Sequence, residues 1–332
     1  MPSQSPLWLV SLQHPPLDLV PSDRARAVAS LAQLACLLEV SAPKPGNVSP
    51  GRHFEDTRYQ DFLAASVAIG EPLAGAGVRS VGATVRLAVE SVAQWTPSNT
   101  SLGIILMFAP LARAAILSPP LVEIQSGERR SRRELWSHLR EQLRNVLEVT
   151  TVEDSCDVYA AIRRAAPGGL GRSQTQDVAD EPDVSLVEVM RLAAERDLIA
   201  REYSSAFQIT FETAVPILDE ARREGLVWDD AIVETFLMLL DRNLDTHIIR
   251  RGGLALARDV SRRATVALAA GGVRSSEGRT LIAEMDAALR GPGHTANPGT
   301  TADLTAAAIF VTLLGGRWQG CAAGPECPRA AA

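Results

Sequence analysis

The sequence predicts an all-α protein, a single-domain bundle of roughly ten helices. Three observations carry this. Apolar residues recur at helical spacing in block after block of the 332-residue chain. Alternating β-branched runs bounded by turns do not recur, and no βαβ rhythm is visible. Aromatic residues are only 5% against 46% hydrophobic overall, so the core must be built mainly from Leu, Ala, Val and Ile. No long linker divides the chain and no repeat suggests a solenoid. One helical domain is expected over 21–316, between a proline-rich extended arm over 1–20 and a disordered tail over 317–332.

The elements follow in order. Ser22 and Asp23 can cap a first helix with apolar positions at Val28, Leu31, Leu34, Ala35 and Leu38. Pro43 and Pro45 stop it. Tyr59 to Val67 begins a helix with Phe62, Leu63 and Val67 inward. Ser80 to Trp95 repeats the period through Val81, Val85, Ala88, Val89 and Val92. Thr100 to Leu117 is nearly all apolar and small, which predicts a buried central helix ended by Pro119 and Pro120. Helices over Arg132–Leu147 and Val152–Ala165 follow, the second closed by Pro167-Gly-Gly, where glycine can take a left-handed cap. Ser185 to Arg223 reads as two helices or one bent near Pro216. The remaining helices are expected over Asp229–Asp245, Gly253–Ala270, Ser276–Leu289 and about Thr301–Leu314.

Composition and charge set bounds on function. The net charge is −6, with no global basic footprint for nucleic acid. No window reaches 18 uncharged apolar residues, so no membrane span is expected. The N-terminus lacks a basic segment before a long apolar run, so no signal peptide is expected and the cytoplasm is the default location. Cys36, Cys156, Cys321 and Cys327 are scattered, without zinc-site spacing. Lys44 is the one lysine; the other 32 of the 33 basic residues are arginine, in keeping with a GC-rich genome.

Four segments combine polar groups with turn residues between apolar helices, where loops can close over a ligand. In Lys44-Pro-Gly-Asn-Val-Ser-Pro-Gly-Arg-His-Phe-Glu-Asp, Lys44 and Arg52 can hold phosphate oxygens. There Asn47, His53, Glu55 and Asp56 can orient a sugar or a metal. A rigid surface loop would have the same composition. Asn99-Thr-Ser-Leu-Gly103 opens an apolar helix, with Asn99 either a plain N-cap or part of an anion site. In Asn297-Pro-Gly-Thr-Thr-Ala-Asp303, Thr300 or Thr301 can cap the last helix. Asp303 there either complements the helix dipole or binds Mg²⁺. Asp241 and Asp245 share a helix face next to His247, Arg250 and Arg251, which suits a metal–phosphate site or a solvated helix end. Asp197 and Arg201 read as an i,i+4 ion pair. Dinucleotide, P-loop, zincin and serine-hydrolase motifs are all missing.

Four stretches, in order, carry a family likeness. They are LEVSAPKPGNVSPGRHFED, NTSLGIILMFAPL, DTHIIRRGG and NPGTTADLTAAAIF. Together they resemble the triphosphoribosyl-dephospho-CoA synthase family over nearly the whole chain. The resemblance implies an all-helical enzyme that uses ATP and 3′-dephospho-CoA. Such an enzyme joins a triphosphoribosyl unit to the acceptor's ribose 2′-hydroxyl and releases adenine. It places Lys44, Gly46, His53 and Asp56 on the first family motif, Asn99, Thr100 and Gly103 on the second, and Asn297, Gly299 and Asp303 on the last.

In that frame Lys44, Gly46, Asn47, Arg52, Asn99, Thr100, Gly103, His247, Arg250, Arg251, Asn297, Gly299 and Thr300 are expected to hold nucleotide. Asp56, Asp245 and Asp303 are candidates for Mg²⁺, and His53, Asp56 and Asp303 for catalysis. One departure stands out: the family typically reads Asn-Thr-His-Lys-Gly, where this chain has Asn99-Thr100-Ser101-Leu102-Gly103. Leu102 cannot supply positive charge to a triphosphate, so Arg52, Arg250 or Arg251 must compensate or the substrate differs. The form also resembles a branch associated with methanopterin-type one-carbon cofactors, so a pterin-cofactor precursor is an alternative acceptor. An inactive helical nucleotide-binding or scaffold protein is a second alternative. A homodimer is a prior only.

Overall fold

The computed structural model describes residues 21–97, 99–118 and 132–316, without the side chains of Arg132 and Pro292. The expected arm over 1–20 and tail over 317–332 lie outside the described residues. Within them the protein is all-α, and an isolated bridge between Ser49 and Arg52 is its only β-type pairing. The helices outnumber the ten or so expected, because the chain divides several periodic blocks at kinks. None is long and apolar enough to cross a membrane.

The first helices match their sequence signals. Helix α1 (Asp23–Ser41) starts where the Ser22 side chain accepts from the Ala25 N–H. It is followed by α2 (Tyr59–Ala68), α3 (Gly70–Ala74) and α4 (Val81–Val92). All five apolar positions expected to face inward on α4 are buried. On α2 the expectation fails in part: Val67 is 67% exposed, because the residues this helix buries are Ala65, Ser66 and Ala68.

Helix α5 (Leu102–Leu117) is buried along most of its length and runs through Pro110 unbroken. Proline has no N–H, so the Leu106 carbonyl one turn earlier loses its helical partner. The Tyr203 hydroxyl donates to that carbonyl at 2.7 Å. The helix tolerates its proline because a side chain from elsewhere satisfies the orphan acceptor.

Helices α6 (Arg132–Glu148) and α7 (Val152–Ala165) come next. The left-handed residue that closes α7 is Ala166, with φ 44°, and not the first glycine of the Pro-Gly-Gly run. The block over 185–223 breaks more often than expected. It forms α8 (Leu186–Ala193), α9 (Leu198–Ser204), a π turn (Thr210–Ala214) and α10 (Val215–Arg223). Pro216 sits in the first turn of α10, directly after the π turn. The break lies at Ala206 and Phe207, both with positive φ. Buried Glu202 holds it, accepting from the N–H groups of Ile209 and Thr210.

Helix α11 (Trp228–Arg242) stops before Asp245, which caps a separate short helix, α12 (Thr246–Gly252). Then come α13 (Leu254–Ala269), α14 (Ser276–Leu289) and α15 (Gly299–Leu314). α15 begins at Gly299, so neither Thr300 nor Thr301 is its N-cap. From Leu304 to Leu313 every residue of α15 is buried, against α1, α5, α10 and α11. Three successive alanines, Ala306 to Ala308, let those neighbours approach, and Phe310 meets Phe108 of α5 at 4.7 Å between ring centroids. The N-termini of α5, α12 and α15 and the C-terminus of α1 thereby open onto one cavity.

Candidate active site

The cavity has a volume of about 720 Å³, within the range of small-molecule sites. The proline-rich loop over 42–58 forms one side. Gly46, at φ 80°, lets it turn, and a Cβ there would stand 2.9 Å from Leu289. α14 grips this loop through Asp286, which accepts from the Gly46 N–H at 2.8 Å and pairs with Arg52 and Arg290. Arg290 in turn donates to the Asn47 carbonyl. Asn47 Nδ2 donates to the Asn297 side chain at 2.6 Å, while Asn47 Oδ1 is buried with no partner. Phe54 lines the cavity and stacks on His294 at 3.9 Å between centroids.

Lys44 does not line the cavity. It is 1% exposed and ion-paired to Glu39 at 3.0 Å, with the Glu39 and Ala42 carbonyls as further acceptors. Glu39 is the lining residue. Removing one partner of a buried pair leaves an uncompensated charge. Lys44→Met is therefore expected to cost about 3–5 kcal/mol in urea unfolding, with much of it recovered in the double variant with Glu39→Leu. Loss of nucleotide affinity at unchanged stability would instead give Lys44 a direct role on phosphate.

At the start of α5, Asn99 Oδ1 accepts from the Leu102 N–H at 3.2 Å, although Ser101 occupies the cap position itself. Asn99, Thr100, Ser101, Leu102 and Gly103 all line the cavity. Gly103 is there for a steric reason: a Cβ would stand 2.0 Å from Asp303 Oδ2.

Asp303, in the second turn of α15, faces the same space and makes no hydrogen bond or ion pair among the described residues. Burial pushes its carboxyl well above the usual carboxylate range, helped by the nearby charges of Glu39, Asp245 and Asp197 and opposed by Arg250. His247 is the second group of note. Its Nδ1 lies 2.9 Å from the Asn297 carbonyl, which can only accept. Nδ1 therefore carries the proton, and in the neutral ring Nε2 keeps a free lone pair. Burial lowers the His247 pKa, partly offset by the Asn297 carbonyl and Asp245. A Cβ at Gly299 would stand 3.1 Å from this ring.

The remaining expected residues separate. Asp245 is buried outside the cavity wall, one oxygen accepting from Ile248 and the other from the Thr301 N–H and hydroxyl at 2.7 Å. It ties α12 to α15. Thr300 accepts from the His247 N–H and lines the cavity. Arg250 also lines it, 3.6 Å from Asp197. That pairing replaces the expected Asp197–Arg201 bridge: Asp197 caps α9, and Arg201 donates to the Ala194 carbonyl. Arg251 is exposed and donates to the Gly293 carbonyl. His53 and Asp56 are exposed and off the cavity wall; His53 Nδ1 accepts from the Tyr59 N–H and Asp56 accepts from Thr57. Asp56, Asp245 and Asp303 thus do not converge. No group of three His, Cys, Asp or Glu among the described residues is placed to hold a metal ion. These residues do not fit a resident metal site.

Several lining residues were missed in the sequence. Glu39 had a signal, being the one charge between Arg26 and Lys44. Asp286, which braces the loop without lining the cavity, was missed as well, although it falls on the buried stripe of Ile282, Met285 and Leu289. Arg163, Arg172 and Arg196 had no signal, because each stands in an ordinary polar stretch and they meet only across the fold.

Comparison with known proteins agrees with the motifs. The sequence profile of the CitG family, ATP:dephospho-CoA triphosphoribosyl transferase, matches residues 25–321. The 2-(5''-triphosphoribosyl)-3'-dephosphocoenzyme-A synthase of Pectobacterium atrosepticum is 27% identical over 262 residues, 77% of this chain and 70% of that protein. The synthase of the same name from Klebsiella pneumoniae is 32% identical over 103 residues, 31% of this chain and only 36% of that protein. A crystal structure from Archaeoglobus fulgidus, provisionally described as a triphosphoribosyl-dephospho-CoA synthase, superposes with a TM-score of 0.57 at 28% identity. It covers 78% of this chain and 99% of its own. The profile match runs through all four motifs that border or brace the cavity, and this chain belongs to the ATP:dephospho-CoA triphosphoribosyl transferase family.

Proposed function

We propose that this protein transfers the triphosphoribosyl unit of ATP to the ribose 2′-hydroxyl of 3′-dephospho-CoA. The new bond joins the acceptor oxygen to the anomeric carbon, and the bond from that carbon to adenine breaks. The observation that carries this is the pairing, in one cavity, of an unpartnered carboxyl with a raised pKa and a histidine with a lowered one. Both shifts favour the neutral forms, a protonated carboxyl that can give a proton and a free imidazole that can take one. Neutral His247 takes the hydroxyl proton on Nε2. Protonated Asp303 gives its proton to the departing adenine. Protons and charge then balance, and the ring nitrogens of adenine receive the electron pair.

Magnesium enters this reading as the counter-ion of the ATP triphosphate, since Mg²⁺ is commonly bound through substrate phosphates with few protein ligands. Ser101 and Leu102 replace histidine and lysine on the cavity wall, and this favours one second reading. In it the acceptor is another phosphorylated ribosyl compound, such as a methanopterin-type precursor.

Incubation with ATP, Mg²⁺ and 3′-dephospho-CoA, followed by mass spectrometry, tests both. Adenine release matched by a triphosphoribosyl mass gain on dephospho-CoA is the expected result. Adenine release only when a pterin precursor replaces dephospho-CoA would move the acceptor assignment. ATP binding without adenine from either acceptor would sink the transferase reading.

A further inference from the structure

The motifs supply almost no free cation for the donor's triphosphate. Leu102 is apolar, Lys44 is spent on Glu39, Arg52 on Asp286, and Arg251 lies off the cavity wall. Arg250 reaches the wall but stands near Asp197. Three other arginines line the cavity, and no motif contains them: Arg163 of α7, Arg172 between α7 and α8, and Arg196 between α8 and α9.

None is held in an ion pair among the described residues, although Arg172 and Arg196 lie near Asp177 and, after the N–H groups of Ser173 and Ala179, help hold its carboxyl low. Arg163 donates to the Val178 carbonyl at 2.7 Å, and Arg196 to the Ser173 hydroxyl at 3.1 Å. Most of their N–H donors therefore stay available. The segment carrying Arg172 is pinned. The Tyr159 hydroxyl donates to the Gln176 carbonyl at 2.5 Å, and Asp177 accepts from the Ser173 and Ala179 N–H groups. The cavity is also polarised. Glu39, Asp197, Asp245 and Arg250 act on Asp303, whereas Arg163, Arg196 and Asp177 act on Tyr159, with no residue in common. Four negative charges at the Asp303 end would meet Glu39 and Asp197 with Arg250 alone against them; at the other end they meet three guanidinium groups, which suit phosphate geometry, against the single carboxylate of Asp177.

We propose that Arg163, Arg172 and Arg196 form the cradle for the triphosphate chain of the nucleotide donor, supplying the charge that Leu102 does not. This rests on the triphosphoribosyl-transfer reading for the ligand's identity. It fixes the donor's direction in the cavity: phosphates among the arginines, anomeric carbon toward Asp303 and His247. The pyrophosphate of dephospho-CoA presents similar chemistry, and the test separates the two.

Arg172 and Arg196 are exposed, so Arg172→Gln with Arg196→Gln should leave the melting temperature unchanged. Calorimetry would follow the full-length protein with ATP, inorganic tripolyphosphate, adenosine and dephospho-CoA. Losing charged hydrogen bonds costs about tenfold or more for each arginine, so ATP and tripolyphosphate should bind about 100-fold more weakly. Adenosine and dephospho-CoA should bind as before, and lysine at both positions should restore part of the loss. Unchanged ATP and tripolyphosphate affinity would overturn the proposal, as would a wild-type protein that does not bind tripolyphosphate. A loss confined to dephospho-CoA would overturn it as well. Because binding is read directly, absent adenine release would count against the reaction and not against the cradle.

Discussion

Asp303→Asn is expected to lower adenine release by about 10²–10⁴-fold, the usual contribution of a positioned acid or base, while leaving the protein folded and more stable. The activity loss follows because the amide has no proton to give to the leaving base. The stability gain follows from Asp303's surroundings. Its carboxyl lacks a hydrogen-bond partner and lies near Glu39, Asp197 and Asp245. Its folded-state pKa is raised, so the folded protein holds this proton more tightly than the unfolded chain does. The resulting contribution is fully present below the ordinary carboxyl range. It is lost as pH rises through the raised pKa. Wild type and Asp303→Asn should therefore have similar stability near pH 4. At pH 8 the variant should be ahead by about 0.5–2 kcal/mol, the usual gain when a strained functional group is removed. Urea unfolding at the two pH values reads this directly. A variant that keeps full turnover, or loses stability at pH 8, would remove Asp303 from the acid role.

His247→Gln should cut turnover by a similar factor of about 10²–10⁴ and change the pH profile in a defined way. The neutral ring must accept the hydroxyl proton, so wild-type activity falls as pH drops through the lowered His247 pKa. The protonated Asp303 must donate, so activity falls again as pH rises through its raised pKa. Both shifts, up for Asp303 and down for His247, favour this neutral pair. Glutamine keeps a donor for the Asn297 carbonyl, so the ring's anchoring contact can be retained while the titrating nitrogen is lost. The acidic limb should disappear and the alkaline limb should stay. An unchanged acidic limb in the variant would assign that limb to another group. Because the two residues act on one reaction, the limbs report the pair's apparent values.

The chain's own order of residues determined much of this. Helical periodicity with few β-branched alternations is enough to specify an all-α fold, because period is a local property set by backbone geometry. The buried faces of α4, α5 and α11 were legible for that reason. So were the motif segments, since turn residues between apolar helices mark loops wherever they occur, and Asn99, Gly103, His247, Asn297 and Asp303 do meet in one cavity.

What each polar group does once there was decided only by packing. Lys44 and Asp245 carry the charge and spacing expected of ligand-binding groups, yet both are consumed by buried partners, Glu39 and Thr301. A side chain's free valence depends on what the fold puts beside it. That neighbour can lie 56 positions away, as Thr301 does from Asp245, or five, as Glu39 does from Lys44. Arg163, Arg172 and Arg196 show the converse, since they come to line one cavity only when α7, α8 and α9 and the segments between them close around it. Sequence spacing fixes faces within a helix, but the shift of a pKa and the sharing of a cavity are properties of through-space distance and burial, which only the tertiary structure sets.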